Sequence, residues 1–358
     1  MLILHNDRHG AHVGRHEMYR GRLVECVELP QRAELVLDEL RRRGFTRVET
    51  PASPADLRVV ESVHDPRYLE FLRTAWRDWV ALDPANAAFD ILPSIWPNHG
   101  LRRAAPSTNL SARVGRYAFD AGTPITAGTW DACIAGAACA IEAAQRVASG
   151  NERSALVVTR PPGHHAGRDF FGGYCFLNNS ALAAQVLRNG GHARVAVLDV
   201  DYHHGNGTQS IFSQRGDVLT VSLHGDPVTE YPFYLGYADE RGEGDGEGFN
   251  LNLPLPRGTS FDAWLAQLDI ALDAIARSGA SALVVPLGVD TYKGDPISSF
   301  RFESSDFTTL GRLIAAAGLP TVFVLEGGYA VADMGVNVAN VVEGFSSAGS
   351  LSVAQSAP

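Results

Sequence analysis

Two adjacent histidines, His164 and His165, stand in a segment rich in proline and glycine, residues 160–166 (RPPGHHA). The apolar run at residues 155–159, directly before it, predicts a buried strand that ends in a rigid loop. Neighbouring imidazoles on such a loop can exchange protons near neutral pH, which indicates acid–base chemistry. Taken alone, the segment also fits two surface histidines on a turn.

A second set of reactive side chains lies in residues 198–208 (LDVDYHHGNGT), at the end of another apolar run. Alternate side chains of an extended chain share a face, so Asp199, Asp201 and His203 are expected to point the same way. Buried carboxylates are costly unless they are paired or bound to a cation. Asp201 and His203 therefore predict a site for zinc or another divalent transition metal. The alternative is a capping aspartate followed by solvated histidines.

Two further apolar runs each end in one reactive residue. Residues 281–290 (SALVVPLGVD) end in Asp290, a candidate third metal ligand. Residues 322–329 (VFVLEGGY) end in Tyr329, whose hydroxyl can reach a reacting oxygen after a flexible diglycine. Each pattern is common by itself. Both become informative only because the same chain also contains the histidine and aspartate motifs.

Predicted strands and helices alternate along the chain and position these motifs. The alternation predicts an α/β fold with a mainly parallel sheet and helices on both faces. Functional groups in such sheets gather at the carboxyl ends of the strands, where all of the motifs fall. The predicted strands are residues 1–5, 155–159, 194–200, 217–223, 282–288 and 320–326, and the predicted helices include 33–43, 132–148, 180–188 and 261–278.

The composition is that of a globular α/β chain without an internal boundary. Its 358 residues, 45% of them hydrophobic, are enough for one large domain or two small ones. No linker or repeat divides the chain, and the metal-ligand candidates, about 90 residues apart, have to meet in one fold. We expect a single domain at residues 1–345, and the small and polar residues 346–358 predict a disordered tail.

Charge and cysteine content limit the partners and the compartment. A formal net charge of −10 and a pI of about 5.6 argue against nucleic acid or an anionic membrane as a partner and favour cationic ligands. The sequence shows no signal peptide and no long apolar run. The four cysteines, which form no CxxC pair, are Cys26, Cys133, Cys139 and Cys175. These features predict a cytoplasmic protein.

Together the motifs resemble the zinc-dependent deacetylase family of histone deacetylases, acetoin-utilisation proteins and acetylpolyamine amidohydrolases. The likeness covers nearly the whole chain and is greatest for the bacterial acetylpolyamine amidohydrolases. It implies an arginase-like single domain with a central eight-stranded, mainly parallel sheet. The residues that carry it are 160–166, 171–179 (FGGYCFLNN), 199–209 (DVDYHHGNGTQ), 222–227 (SLHGDP), 288–296 (GVDTYKGDP) and 326–329 (EGGY).

The resemblance implies a zinc ion held by Asp201, His203 and Asp290, a ligand set that also suits iron(II) or cobalt(II). It pairs His164 with Asp199 and His165 with Asn206. A carboxylate partner raises the basicity of an imidazole, whereas an amide partner only orients the ring. His164 is therefore expected to act mainly through its charge and His165 to carry most of the proton transfer. Tyr329 is expected to donate to the oxyanion.

Structural potassium ions are a further property that only the resemblance implies. The residues of an inner potassium site are Asp199, Asp201, His203, Ser222 and Leu223, and those of an outer site are Phe212, Arg215, Val218 and Phe249.

Four residues are candidates for substrate contact. By resemblance, Gly173, Tyr174 and Tyr231 line a narrow apolar tunnel, although ordinary core packing is an alternative for the aromatic residues. Glu17, in an early loop, is placed to meet a cationic substrate end at the tunnel mouth. As a single acidic residue in a loop, it also fits a solvated position.

Residues 83–117 resemble the insertion with which acetylpolyamine amidohydrolases dimerise and narrow the entrance to the active site. A homodimer is expected, because the apolar residues of this segment would be wasteful on the surface of a monomer. Residues 91–119 contain no aspartate or glutamate, and their basic residues are expected to face the channel mouth and disfavour highly cationic polyamines. The apolar set is Ile91, Leu92, Ile95 and Trp96, and the basic set is His99, Arg102, Arg103, Arg113 and Arg116.

Three functions remain open from the sequence. The first is metal-dependent hydrolysis of an N-acetyl or N-acyl amide of a small amine or polyamine, which releases acetate and the free amine. The second is a protein acetyl-lysine deacetylase with the same chemistry. The third is a non-catalytic binding or regulatory member of the family, which the intact metal and catalytic residues argue against. A binuclear manganese ureohydrolase would need more aspartate and histidine ligands than these motifs offer.

Overall fold

One eight-stranded sheet, covered by helices on both faces, forms the centre of the protein. The computed structural model describes residues 1–95 and 107–355, with only the backbone for 349–355. The strands are β1 (Leu2–His5), β2 (His16–Tyr19), β3 (Arg22–Glu25), β4 (Val48–Glu49), β5 (Ser154–Val158), β6 (Val195–Asp199), β7 (Val218–Gly225), β8 (Asn250–Leu255), β9 (Ala282–Leu287) and β10 (Thr321–Leu325). The sheet order is β4-β1-β5-β10-β9-β6-β7-β8, and every neighbouring pair is parallel. The predicted fold class is confirmed.

Side chains of consecutive strand residues enter two separate hydrophobic layers, because they alternate between the faces of the sheet. The helices are α1 (Gln31–Arg42), α2 (Leu57–Val63), α3 (Pro66–Leu82), α4 (Leu110–Tyr117), α5 (Thr129–Ala148), α6 (Asn179–Asn189), α7 (Asn206–Phe212), α8 (Phe261–Ser278), α9 (Asp306–Ala316) and α10 (Val331–Gln355). Leu2 and Leu4 join the layer under α2, α3, α5 and α6, whereas Ile3 joins the layer under α1, α8, α9 and α10.

The six strands predicted from apolar runs are all present, with ends that differ by at most two residues. The sequence did not predict β4 or β8, which are the two edge strands of the sheet. β4 has only two residues, and β8 (NLNLPL) carries asparagines and a proline, which are tolerated at an edge but interrupt an apolar run.

The early segment that the sequence predicted as a loop contains an antiparallel hairpin of β2 and β3. Arg20 and Gly21 form its two-residue turn, and both have positive φ angles, 49° and 78°. This backbone geometry is that of the tight turns that match the twist of a hairpin. Glu17 therefore lies on β2 rather than in a loop, and because it is 3% exposed, the alternative of a solvated position is wrong.

The described part of the segment 83–117 makes contacts with other residues of the chain. A short 3₁₀ helix spans Pro84–Ala88, and Ile91 pairs with Ile125. Ile91 is 5% exposed, so it packs in the core and cannot contribute to a dimer surface.

Two of the basic residues that were predicted to face the channel mouth, Arg113 and Arg116, contact other side chains of the protein. Arg113 forms an ion pair with Asp78 on α3, at 2.7 Å, rather than facing the mouth. Arg116 lies over the ring of Tyr117. The remaining predicted residues of this segment, Trp96, His99, Arg102 and Arg103, lie outside the described residues.

The last helix, α10, extends to Gln355 and includes residues 346–355, which were expected to be disordered. Apart from one glycine, these residues are compatible with a helix, and extending an existing helix costs less than nucleating a new one. In the described part of the chain, no helix is long and apolar enough to cross a membrane.

Candidate active site

The carboxyl ends of four adjacent strands, β5, β10, β9 and β6, bring the sequence motifs together. The segment with His164 and His165 follows β5, and the segment with Asp201 and His203 follows β6. Asp290 follows β9, and the diglycine before Tyr329 follows β10. Parallel strands place all of these segments at one edge of the sheet, where the motifs can form a single site.

Three buried side chains form a candidate metal centre. Ligand atoms of Asp201, His203 and Asp290 all lie within 4.8 Å of one another. His203 Nδ1 is 2.9 Å from Asp290 Oδ2 and 3.4 Å from Asp201 Oδ1. β6 ends at Asp199, and the backbone N–H of His203 donates to Asp201 Oδ1 at 2.9 Å. A turn of the chain, rather than strand alternation, therefore brings these ligands together.

The electrostatics of this cluster suit a divalent cation. Burial lowers the pKa of His203, but hydrogen bonds with Asp201 and Asp290 outweigh it and raise that pKa to about 10. Burial and the charge of Asp201 raise the pKa of Asp290 to about 7. Two buried carboxylates thus face each other with one histidine between them, and a metal cation can take the place of the histidine's proton in compensating their charge.

Close approach of the backbone keeps the cradle open for an ion. A Cβ atom at Gly327 would lie 2.5 Å from Asp201 Oδ2 and 2.7 Å from Asp290 Oδ2. A Cβ atom at Gly288 would lie 2.1 Å from Asp201 Oδ2. Glycine is required at both positions, and the residues present fit a divalent metal ion with one nitrogen and two carboxylate ligands.

The two adjacent histidines have the partners that the resemblance implied. His164 Nδ1 lies 2.9 Å from Asp199 Oδ2, and His165 Nδ1 lies 2.7 Å from Asn206 Oδ1. Burial lowers the pKa of His164, but the carboxylates of Asp201 and Asp199 raise it to about 10. Burial and the nearby charge of His164 hold the pKa of His165 well below its usual value. The pair therefore combines a protonated and a neutral imidazole.

Glu326 supports the histidine loop, the loop that carries His164 and His165. Glu326 belongs to the sequence motif at residues 326–329, but no role of its own was predicted for it. Its Oε2 accepts hydrogen bonds from the backbone N–H groups of Gly163 at 2.6 Å and His164 at 3.1 Å. Its Oε1 accepts a hydrogen bond from Ser180 Oγ at 3.0 Å. A glutamate directly after an apolar strand was the available sign, because a buried carboxylate needs such donors.

Glu326 also belongs to a second group of metal-ligating residue types, with His164 and Cys175. Both carboxylate oxygens already accept hydrogen bonds, and His164 Nδ1 contacts Asp199. Burial raises the pKa of the Cys175 thiol well above its usual value, so this sulfur stays protonated. The group is held by hydrogen bonds and is a poor metal site.

A buried network of two arginines and one glutamate holds the loop that carries Tyr329, and sequence reasoning missed it. Glu28 pairs with Arg160 at 2.6 Å and with Arg32 at 2.8 Å. Burial raises the pKa of Glu28, but the two guanidinium groups outweigh it and lower that pKa to about 2. Arg32 donates to the carbonyl of Gly328 at 2.7 Å and lies 4.7 Å over the Tyr329 ring. The network fixes the orientation of this tyrosine.

A channel of about 430 Å³ connects the surface with His165, His203 and Tyr329. The structure places Glu17, Gly173, Tyr174 and Tyr231, the four predicted substrate residues, on its wall. The Tyr231 ring lies 5.1 Å from that of His165, and the Tyr174 ring lies 5.6 Å from that of Tyr329. The wall of the channel is therefore aromatic next to the histidine and metal-ligand cluster.

Carboxylates fix both channel tyrosines. Tyr231 donates to Asp120 Oδ2 at 2.7 Å, and Tyr174 donates to Glu17 Oε1 at 2.9 Å. Asp120, which sequence reasoning missed, also accepts from the backbone N–H of Gly173 at 2.5 Å. Within the described part of the chain, Glu17 Oε2 has no hydrogen-bond donor. Burial raises the pKa of Glu17 to about 7.

The residues predicted to bind potassium lie on and beside β6 and β7. Asp199 and Ser222 are register partners on these strands, which brings part of the inner set together. In the outer set, the Phe249 carbonyl accepts from the N–H of Thr220, and the Phe212 carbonyl accepts from the N–H of Arg215. Potassium binding at either place stays a prediction.

Known proteins are similar to this chain in both sequence and fold. The chain is 48% identical to acetylpolyamine amidohydrolase 2 of Pseudomonas aeruginosa, over 96% of its own length and 98% of that protein. It is 46% identical to acetylpolyamine amidohydrolase of Mycoplana ramosa, over 96% of its length and 99% of that protein.

A crystal structure of acetylpolyamine aminohydrolase from Burkholderia pseudomallei matches with a TM-score of 0.91 and 39% identity, covering 97% of this chain and 99% of that one. The HD domain of HDA15, 22% identical with a TM-score of 0.78, shares the fold, covering 97% of this chain and 90% of that one. Residues 26–345 match the histone deacetylase domain. With the histidine pair, the aspartate–histidine cluster and the channel in one place, the chain belongs to the histone deacetylase family.

Proposed function

We propose that this protein hydrolyses the N-acetyl amide of a small amine or polyamine and releases acetate and the free amine. The observation that carries the proposal is the cluster of Asp201, His203 and Asp290 beside His165 and Tyr329, in a channel with aromatic walls. Relatives of nearly full length that are named acetylpolyamine amidohydrolases support the same substrate class.

The metal in this proposal is one zinc ion held by Asp201, His203 and Asp290, and iron(II) or cobalt(II) suits the same ligands. When bound, such an ion polarises a carbonyl and lowers the pKa of water. The structural potassium ions implied by the family resemblance are part of the proposal, at the carbonyl and side-chain oxygens near Asp199, Ser222 and Phe249.

The chain's own residues supply the proton transfers. His165 Nδ1 faces the amide oxygen of Asn206, so it carries the hydrogen, and Nε2 is free to accept a proton from the attacking water. The same Nε2 then returns the proton to the leaving amine. His164 keeps its positive charge beside Asp199. Burial raises the pKa of Tyr329 well above its usual value, so its hydroxyl stays protonated and can donate to the oxyanion.

A homodimer and a cytoplasmic location complete the proposal. Several large apolar side chains near the channel mouth are exposed, including Ile95 at 47%, Phe233 at 46% and Tyr234 at 91%. A second copy of the chain would bury such a surface. All four cysteines are free, which fits a reducing compartment.

The reaction is tested with purified protein, acetate release being measured from monoacetylputrescine and from acetyl-lysine in a folded protein. We expect turnover of the diamine and little of the folded protein, because the substrate has to enter a channel lined by Tyr174 and Tyr231 to reach His165. His165→Ala should lower kcat by about 100-fold or more, the scale of a lost general base, and should retain its metal. His164→Ala should keep more activity than His165→Ala. Comparable turnover of the folded protein substrate would favour the protein deacetylase alternative.

Metal binding is tested with Asp290→Ala, analysed by atomic emission after dialysis. We expect most of the bound divalent metal to be lost, since two remaining ligands cannot hold a labile ion. The matched control is Asp262→Ala, which removes an exposed carboxylate in the first turn of α8. A variant with full metal stoichiometry would show that the third ligand lies elsewhere.

Glu326 should act by positioning the histidine loop. Glu326→Ala leaves two buried N–H groups without an acceptor and is expected to lower kcat at least tenfold, the order of one or two lost buried hydrogen bonds. Glu326→Gln keeps an acceptor for both N–H groups and should recover most of kcat, with KM unchanged in both variants. An equal loss in the two variants, at equal melting temperatures, would mean that the charge rather than the hydrogen bonds matters.

Glu17 should make the use of cationic substrates pH dependent. Its pKa is raised to about 7, so the ionised form that attracts an ammonium group predominates only above that pH. We expect kcat/KM for monoacetylputrescine, divided by that for neutral N-acetylbutylamine, to rise about tenfold between about pH 6 and pH 8. Dividing the two kcat/KM values removes the effect of any group whose titration changes the turnover of both substrates equally. In Glu17→Gln the quotient should stay flat, and a rise of the same size there would exclude this role for Glu17.

A further inference from the structure

Arg20 occupies the tip of the hairpin that borders the channel. It is the first of the two turn residues, with a φ angle of 49°, and it lies on the channel wall with Tyr19 and Tyr234. Its guanidinium group lies 5.0 Å from the centre of the Tyr19 ring. The turn and the ring contact hold a positive charge at the outer part of the channel.

The other charges of the channel wall are largely satisfied by the protein. Asp120 accepts from the N–H groups of Gly173 and Gly122 and from the Tyr231 hydroxyl. Glu230 forms an ion pair with Arg257. Glu17 Oε2 is a buried oxygen of the channel wall that has no hydrogen-bond donor, as far as the structure describes the chain.

Arg20 has no carboxylate partner in an ion pair among residues 1–95 and 107–355. The channel therefore presents an inner carboxylate at Glu17 and an unpaired cation farther out on the same hairpin, within that part of the chain. Arg20 lies three positions after Glu17 in the chain, a span of at most about 10 Å along the backbone.

We propose that Arg20 forms an outer recognition position that repels a second ammonium group and accepts a neutral or carboxylate-bearing substrate end. The inference rests on the proposed amide hydrolysis and deepens it, because it names the substrate class. An acylated diamine with one ammonium group can place this group at Glu17 and leave no charge near Arg20. A longer polyamine places a second ammonium group beside a fixed cation, which is unfavourable even where solvent screens it.

The test compares three amides that differ beyond the first ammonium group: monoacetylputrescine, N8-acetylspermidine and Nδ-acetylornithine. Arg20→Gln should raise kcat/KM for acetylspermidine relative to monoacetylputrescine by about three- to tenfold, the scale of one partly screened charge. It should lower the relative value for acetylornithine by a similar factor. Both changes should shrink at high ionic strength.

The matched control is Arg22→Gln, which removes an exposed arginine from the same hairpin, at the first residue of β3, without altering the channel wall. It should leave the substrate ratios within about twofold of the wild type, because an exposed charge that does not line the channel is screened by solvent. Unchanged ratios in Arg20→Gln, or equal changes in the two variants, would overturn the proposal.

Direct binding separates this inference from the proposed reaction. Calorimetry with the free amines putrescine, spermidine and ornithine needs no turnover. If the wild type hydrolyses none of the amides, the proposed function fails, and the calorimetric ratios still decide the role of Arg20. Weaker binding of spermidine than of putrescine in the wild type, and its reversal in Arg20→Gln, is the expected result. Equal ratios in both proteins would contradict it.

Discussion

Buried negative charge at one edge of the sheet is the constraint on which the site depends. Asp199, Asp201, Asp290 and Glu326 all lie at or just beyond the ends of adjacent strands, and each is at most 2% exposed. A buried carboxylate is stable only with donors or positive charge beside it. Glu326 is compensated by backbone N–H groups and a hydroxyl, and Asp199 by His164. Asp201 and Asp290 share one histidine, which leaves a place for a cation.

The same compensation organises the catalytic groups. Because Glu326 binds the backbone beside His164, the strand that leads to Tyr329 also fixes the histidine loop. Arg32 forms an ion pair with Glu28 and also donates to the carbonyl of Gly328, next to Tyr329. The ion pair therefore also fixes the backbone beside this tyrosine. Charge pairing in the interior thus positions the two histidines that we propose handle protons, and their different surroundings raise the pKa of His164 and lower that of His165.

The proposed selectivity rests on a different set of charges. The hairpin of β2 and β3 places Glu17 inside the channel and Arg20 at the tip, three positions later in the chain. Burial raises the pKa of Glu17 to about 7, whereas Arg20 is exposed. Small changes on one hairpin can therefore alter which amine is used while the residues that carry out hydrolysis stay the same.

The sequence by itself determined the central strands, the fold class and the reactive residues, because histidines and aspartates at the ends of apolar runs need a charge partner or a cation once the strands are buried. The edge strands β4 and β8 and the hairpin escaped prediction, since short or polar strands depend on their neighbours and a two-residue turn depends on backbone angles. Only the tertiary structure decided that Glu17 is buried, that Ile91 packs inward and that Arg113 pairs with Asp78. These outcomes depend on contacts between segments far apart in the chain, which no local pattern encodes.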